Sequence, residues 1–253
     1  SLLPLVVHAN TIIIDRRKRL EDGDARLAAG ESLPDGEIAK LRDTAVLLRI
    51  ASAEEASQMK DSADFRKVIK ESLYKLDVIP PGLVLGQAAY ESGYATSRFA
   101  AQGNALFGQW TFGGEGLVPE QQRKELGDHR IASFEWPFDS VRGYFLNLSS
   151  NPAYEDFRRL RAELKASGKP LTSLRLADGL LKYSERGQDY VDTLKGLIKK
   201  NALDSADNAE FRDEPVSYLW GAEDEAAAKK LEKEIESRRQ TGELSTLIDR
   251  MKL

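Results

Sequence analysis

The chain has no cysteine among its 253 residues. That excludes thiol catalysis, disulfides and thiolate metal sites together. Only two histidines occur, His8 and His129. A zinc site built on several histidines is excluded by number, and no His-Glu-x-x-His stretch is present. No Gly-x-Ser-x-Gly elbow, Walker loop or Gly-x-Gly-x-x-Gly accompanies them. No apolar run approaches the roughly 20 residues that a membrane-spanning helix requires. The longest, Leu5-Val-Val7 and Ile12-Ile-Ile14, are bounded by His8, Asn10 and Asp15. No strong charge of one sign is present either: the net charge is -4, without a basic face for nucleic acid. The short run Asp15-Arg-Arg-Lys-Arg19 reads as a solvated helix face. The chain opens at Ser1-Leu-Leu-Pro4 with no signal segment, as expected of an exported protein whose targeting segment has been removed.

What remains is carboxylate chemistry in a helical protein. With 41% apolar and 31% charged residues, the chain can bury a sizeable core. Apolar positions recur at helical spacing over residues 2 to 20. Gly23 to Gly36 is polar and turn-rich, apart from a short Ala/Leu segment. Ser32-Leu-Pro-Asp35 and Ser52-Ala-Glu-Glu55 carry helix-start patterns. Phe65, Val68, Ile69, Leu73 and Leu76 form a further stripe. Ile79-Pro-Pro-Gly82 is a firm break, with Pro81 suited to the first turn of the next helix. That helix is apolar on nearly every face up to Gln87 and ends at Gly93, which marks it as central and buried.

Residues 103 to 137 change character, with six glycines and an alternating run Ile131-Ala-Ser-Phe-Glu-Trp136. They predict a small β hairpin, with Leu126-Gly-Asp-His129 as its turn. Helices return after Pro137, one of them capped by Asp139. They are marked by Val141, Tyr144, Phe145 and Leu148, by Tyr154, Phe157 and Leu160, by Leu174, Ala177 and Leu181, and by Tyr190, Val191, Leu194 and Ile198. After Asn201 the chain turns acidic and loop-like. Tyr218-Leu-Trp220 reads as an anchor for the tail, and residues 222 to 239 as a charged surface helix with a thin stripe at Leu231 and Ile235.

One carboxylate stands out. Glu91 closes the apolar helix within Gln87-Ala-Ala-Tyr-Glu-Ser-Gly-Tyr94, and Ala105-Leu-Phe-Gly-Gln-Trp110 follows. Gln87 and Glu91 are four apart and share a helix face. A carboxyl group held among aromatic rings suits glycosidic bond cleavage. It can deliver a proton near neutral pH once burial raises its pKa, and ring faces stack on sugars. Most glycosidases pair two carboxylates. Glu115, Glu120, Glu125 and Asp128 are candidates for the second, and Glu115 in Gly113-Gly-Glu-Gly116 has the most flexible surroundings. A 2-acetamido group on the substrate could replace it. Phe107 and Trp110 are candidate sugar platforms. Gln87 and Asn104 either bind substrate or cap local backbone.

These segments resemble the bacterial glucosaminidase family, in its Bax-type branch. The resemblance is carried by Leu76-Asp-Val-Ile-Pro-Pro-Gly82, Gln87-Ala-Ala-Tyr-Glu-Ser-Gly93, Thr96-Ser-Arg-Phe99 and Asn104-Ala-Leu-Phe-Gly-Gln-Trp110. It continues at Gly116-Leu-Val-Pro119, Ser140-Val-Arg-Gly-Tyr144, Asn151-Pro-Ala-Tyr154 and Gly179-Leu-Leu-Lys-Tyr-Ser-Glu-Arg-Gly187, and spans roughly residues 1 to 203. It implies a mainly α, lysozyme-like helical domain with a small β-hairpin lobe. The expected division is a helical extension over 1–65 packed on the core, a catalytic domain over 66–203 with its lobe near 103–137, and an acidic loop and helical tail over 204–253.

The resemblance also implies a peptidoglycan hydrolase that cuts after N-acetylglucosamine. Glu91 would be its acid and Tyr183 the tyrosine that faces it across a cleft. Tyr90 and Tyr94 depart from the pattern, standing where Asn and Trp are expected; Tyr94 keeps an aromatic wall and Tyr90 could face the core. No cofactor or metal is implied. The expected partner is the peptidoglycan glycan strand, met by an exported, cell-envelope monomer without membrane insertion. A lytic transglycosylase or muramidase of the same fold, and a non-catalytic wall-binding protein, stay open as alternatives.

Overall fold

The structure, a computed structural model, describes residues 2–112, 116–117, 129–212 and 221–241, with backbone alone for 110–112, 116–117 and 129–131. The chain divides into two compact units, Ser1–Ala209 and Glu210–Leu253. Helices dominate the first. They are α1 (Leu3–Ala28), α2 (Asp35–Leu47), α3 (Ala53–Gln58), α4 (Ser62–Lys75), α5 (Pro81–Ser92), α6 (Arg98–Gly103), α7 (Pro137–Ser150), α8 (Glu155–Ala166), α9 (Ser173–Leu176) and α10 (Gln188–Lys200).

The N-terminal helices belong to the same unit as the rest. Leu27 of α1, Leu41 and Ala45 of α2, and Phe65, Val68 and Ile69 of α4 bury one another with Leu33. The Asn10 amide on α1 donates to the Ile79 carbonyl at 2.8 Å and accepts the Ile79 N–H at 3.0 Å. This pairing ties α1 to the segment entering α5. Helix α1 runs past the expected end near residue 20 because Gly23 is buried against Ile69 and Leu27 enters the core. Only one of the two helix-start patterns closes as a capping box. Ser52 and Glu55 exchange both bonds at the head of α3, whereas α2 starts after Pro34 without a side-chain cap. Likewise α7 begins at Pro137, with Asp139 inside its first turn rather than at its cap.

Helix α5 is the buried centre. Pro81 opens it, and Gly93 closes it in the left-handed region at φ +58°. A Cβ on Gly86 would stand 2.6 Å from Ile198 Cγ1, so α10 can lie directly against α5. At its head, the Gly82 N–H donates to Asp207 Oδ1 at 3.1 Å. Asp207 also accepts the Ser173 N–H at 2.8 Å and the Ser173 hydroxyl. The stretch after residue 203 is therefore no loop at its start. Leu203–Ala206 forms a 3-10 turn packed on α5, and the compact unit continues to Ala209.

The fold is mainly α, and the segment expected to hold a two-stranded hairpin carries a small antiparallel sheet instead. Three short strands, β1 (Trp110–Phe112), β2 (Gly116–Leu117) and β3 (His129–Ala132), pair antiparallel in the order β1-β3-β2. The strand expected through Trp136 stops at Ala132. Phe134 N–H turns instead to the Gly103 carbonyl at 2.8 Å, and Pro137 starts α7. The proposed turn at Leu126-Gly-Asp-His129 lies, up to Asp128, outside the described residues.

In the second unit, α11 (Glu225–Thr241) buries no side chain. It carries i,i+4 pairs Lys229–Glu225 at 2.8 Å and Arg238–Glu234 at 2.7 Å, each worth a few tenths of a kcal/mol. The Tyr218-Leu-Trp220 anchor lies outside the described residues.

Candidate active site

Glu91 sits in the last turn of α5, where the chain must leave a buried helix. Its carboxyl group is half-buried, and burial raises its pKa above the ordinary value; a hydrogen bond from Tyr190 opposes this. The negative end of the helix dipole works in the same direction as burial, disfavouring the carboxylate. Tyr190 Oη donates to Glu91 Oε1 at 3.0 Å. The other oxygen, Oε2, lies beside Gly108, where a Cβ would come within 3.5 Å. Gly108 adopts φ +58°, so the loop after α6 passes Glu91 with bare backbone.

Tyrosines surround this carboxyl group. Tyr183 and Tyr190 stack with centroids 5.6 Å apart and planes 11° from parallel. Tyr154 tilts against Tyr183 at 5.6 Å, and Tyr90 meets Tyr190 edge-on at 5.4 Å. The phenols of Tyr144, Tyr154, Tyr183 and Tyr190 are all raised above their ordinary pKa, chiefly by burial, with the charge of Glu91 among the further causes. All four stay protonated through the neutral range, so each can present a hydroxyl hydrogen and an uncharged ring. Among the described residues no group of three or more His, Cys, Asp or Glu is placed to hold a metal ion. No helix among them is long and apolar enough to cross a membrane.

The residues singled out from the sequence separate by burial. Tyr94, three residues after Glu91, is 63% exposed and lies in a run of three left-handed residues, Gly93 (φ +58°), Tyr94 (φ +59°) and Ala95 (φ +64°). The buried Ser92 hydroxyl holds that run by accepting the Ala95 N–H at 2.7 Å and donating to the Ala88 carbonyl at 2.6 Å. Phe107 is only 2% exposed and stacks on Tyr144 at 4.2 Å. It fills the core under the loop and offers no free face to a sugar. Gln87 is fully buried, so it reaches Glu91 only through other side chains. Asn104 is left-handed at φ +50° and donates to the carbonyls of Phe134 (2.9 Å) and Glu135 (3.2 Å), a local backbone role.

Tyr183 donates to the Phe107 carbonyl at 3.2 Å and thereby steadies the loop carrying Gly108. Tyr90 is not a core residue: half-buried, it accepts from Arg186 Nη1 at 2.5 Å. The side chain of Trp110, and all of Glu115, Glu120, Glu125 and Asp128, lie outside the described residues.

Sequence reasoning placed Tyr190 among apolar stripe residues and missed its contact with Glu91. Its register on α10 was legible, but not that its hydroxyl crosses to α5. Tyr144 was missed in the same way.

Comparison with known proteins places the chain in a family. The family model Glucosaminidase, described as mannosyl-glycoprotein endo-beta-N-acetylglucosaminidase, matches residues 66–203. Those bounds contain Glu91 and every tyrosine named above. The protein bax of Escherichia coli (strain K12) is 29% identical over 202 residues, spanning 79% of this chain and 67% of its own length. No solved structure matches the chain.

Proposed function

Because the chain belongs to the glucosaminidase family, in its Bax-type branch, we propose that it is an endo-β-N-acetylglucosaminidase of peptidoglycan with Glu91 as general acid. The observation that carries this is the environment of Glu91: half-buried, raised in pKa and ringed by neutral phenols. A carboxyl group so placed keeps its proton to higher pH than a solvated one. It protonates the glycosidic oxygen as the bond to the anomeric carbon breaks, and the electron pair of that bond goes to the leaving oxygen. Positive charge then develops on the sugar ring, and the electron-rich faces of the surrounding tyrosines favour it.

Tyr94 serves as the stacking platform, because its ring is exposed and its backbone is pinned. Tyr183 acts by holding the Gly108 loop and presents its ring beside Tyr190. The second chemical role falls to Glu115 or to the substrate acetamido group. Glu115→Gln separates them: loss of cleavage assigns the carboxylate, and retention assigns the acetamido group. With peptidoglycan as substrate, the protein acts in the cell envelope as an exported monomer.

Glu91→Gln tests the central assignment. The amide keeps the shape but has no proton to give, so muropeptide release from purified sacculi should fall by a factor of about 10³ or more, with the fold retained. Release at the parental rate would refute the role. Mass spectrometry of the fragments should show reducing-end N-acetylglucosamine; anhydro-muramyl ends would make the protein a lytic transglycosylase instead. Binding to sacculi with no release by the parent protein would mark a non-catalytic wall binder.

A further inference from the structure

Glu91 is the end of a chain of hydrogen bonds whose direction is set in the core. Tyr144 has no solvent exposure, and its hydroxyl meets Gln87 Oε1 at 2.5 Å. An amide oxygen only accepts, so Tyr144 donates. The amide nitrogen only donates, and Gln87 Nε2 meets Tyr190 Oη at 2.9 Å. A phenol carries one proton. With Tyr190 oxygen accepting from Gln87, that proton goes to Glu91 Oε1 at 3.0 Å. A reversed amide would take the Tyr190 proton away from Glu91 and leave the Tyr144 proton facing an NH₂ group that cannot accept it. A buried unpaired donor is unfavourable, so the observed orientation holds.

We propose that Gln87 is a positioning residue for the general acid, its amide locked by Tyr144 so that Tyr190 always donates to Glu91 Oε1. This rests on the reading of Glu91 as the acid. The consequence is which oxygen carries the proton. Oε1 is taken as an acceptor, so protonated Glu91 holds its hydrogen on Oε2, the oxygen beside the bare backbone of Gly108. After transfer the carboxylate keeps the Tyr190 hydrogen bond, which stabilises the charge that forms. Without Gln87, Tyr190 oxygen gains an open lone pair. Glu91 can then place its proton on Oε1, bonded to Tyr190 and turned away from the loop. The amide thus suppresses an unproductive protonated form. The groups facing Glu91 among the described residues are Tyr190 from α10, Tyr144 from α7, Tyr154 from the 3-10 turn Pro152–Tyr154 and Tyr183 from the segment before α10. Arg186 is held nearby on Tyr90. All four phenols are raised, so Glu91 is the group among these that titrates from acid to neutral pH.

The test compares Gln87→Met, Tyr144→Phe and Gln87→Glu with the parent on soluble peptidoglycan glycan fragments, measuring kcat and KM across pH and thermal stability. Gln87→Met keeps bulk and removes the relay. Its kcat should fall about tenfold with KM within about twofold, the size expected for losing the bias of one charge-assisted hydrogen bond. The alkaline limb of its pH profile should move up, because the unproductive form stabilises protonated Glu91. Tyr144→Phe keeps the ring on Phe107, frees the amide to reverse, and should move both readouts the same way by less.

Gln87→Glu should recover most of the activity, since a buried neutral carboxyl group offers one donor and one acceptor as the amide does. Lower melting temperatures for Gln87→Met and Tyr144→Phe, with kcat and the alkaline limb unmoved, would overturn the proposal and leave Gln87 a structural residue. If Gln87→Met does not fold, Tyr144→Phe decides by the same criterion. The failure of the acid assignment looks different: there, Glu91→Gln itself would retain parental activity.

Discussion

Asp207 is the residue whose removal should most clearly expose how the helix carrying Glu91 is held. It lies beyond the family match at residues 66–203, yet its carboxylate accepts from the Gly82 N–H, the Ser173 N–H and the Ser173 hydroxyl. It thus caps the head of α5, which carries Glu91 at its other end. The site admits nothing larger than glycine at 82, where a Cβ would meet Leu203 O at 2.5 Å and Ser173 Oγ at 2.6 Å. Asp207→Ala removes three bonds to a charged acceptor and leaves two N–H groups and one hydroxyl short of partners. Hydrogen bonds to charged groups contribute about 1.5–3 kcal/mol each and are not additive, so a total near 3 kcal/mol is expected.

For a unit of this size that lowers Tm by about 6–12 °C, at about 2–4 °C per kcal/mol. Differential scanning calorimetry, with urea melts followed by circular dichroism, provides the measurement. Cleavage measured well below the melting transition should also fall, because the helix carrying Glu91 starts from a loosened end. A chain ending at residue 203 should show the same loss, and one ending at 209 should not. A Tm change under about 2 °C for Asp207→Ala would refute the reasoning, showing that the cap is replaced without cost.

Three further outcomes follow from the same structure. Glu91→Gln should raise stability as pH increases. The folded state resists ionising Glu91, so the parent loses stability from about the ordinary value of 4.5 upward while the amide does not; melting curves should coincide below pH 4.5 and separate above it. Ser92→Ala leaves the Ala95 N–H unpaired under a strained left-handed run, costing about 1–2 kcal/mol in urea melts, and should raise KM more than it lowers kcat because Tyr94 loses its footing. Arg161 is 2% exposed, and burial lowers its pKa to about 10. It donates to the carbonyls of Tyr74, Lys75 and Asp77 that leave α4. Arg161→Ala should cost about 3–5 kcal/mol by chemical denaturation, with no change in the pH dependence of catalysis.

Local chemistry made much of this legible in the chain. Pro81 and Gly93 bracket α5 because one residue supplies a fixed φ and the other a left-handed one. The stripe at Tyr190, Val191, Leu194 and Ile198 is the buried face of α10 because a 3.6-residue period leaves it no other face. Glu91 stood out for the same reason: a carboxylate at the end of an apolar helix has few neutral explanations. Other features had no local signature. Gly23 looks like a break but is a packing site, and its helix runs on because α4 lies against it. The residues after 203 read as an acidic loop, since nothing nearby shows that Asp207 will find Gly82, 125 positions earlier in the chain.

The sequence by itself determined the helical class, the limits of the central helix and the identity of its terminal carboxylate, because capping and periodicity act over one or two turns. Tertiary structure alone decided that Phe107 turns inward while Tyr94 stays out, and that Gln87 serves as an internal link. It also brought Tyr190, 99 positions along the chain, to Glu91 as its hydrogen-bond donor. Those outcomes depend on which surfaces are left dry after the helices pack, and desolvation at a point is a property of every element around it.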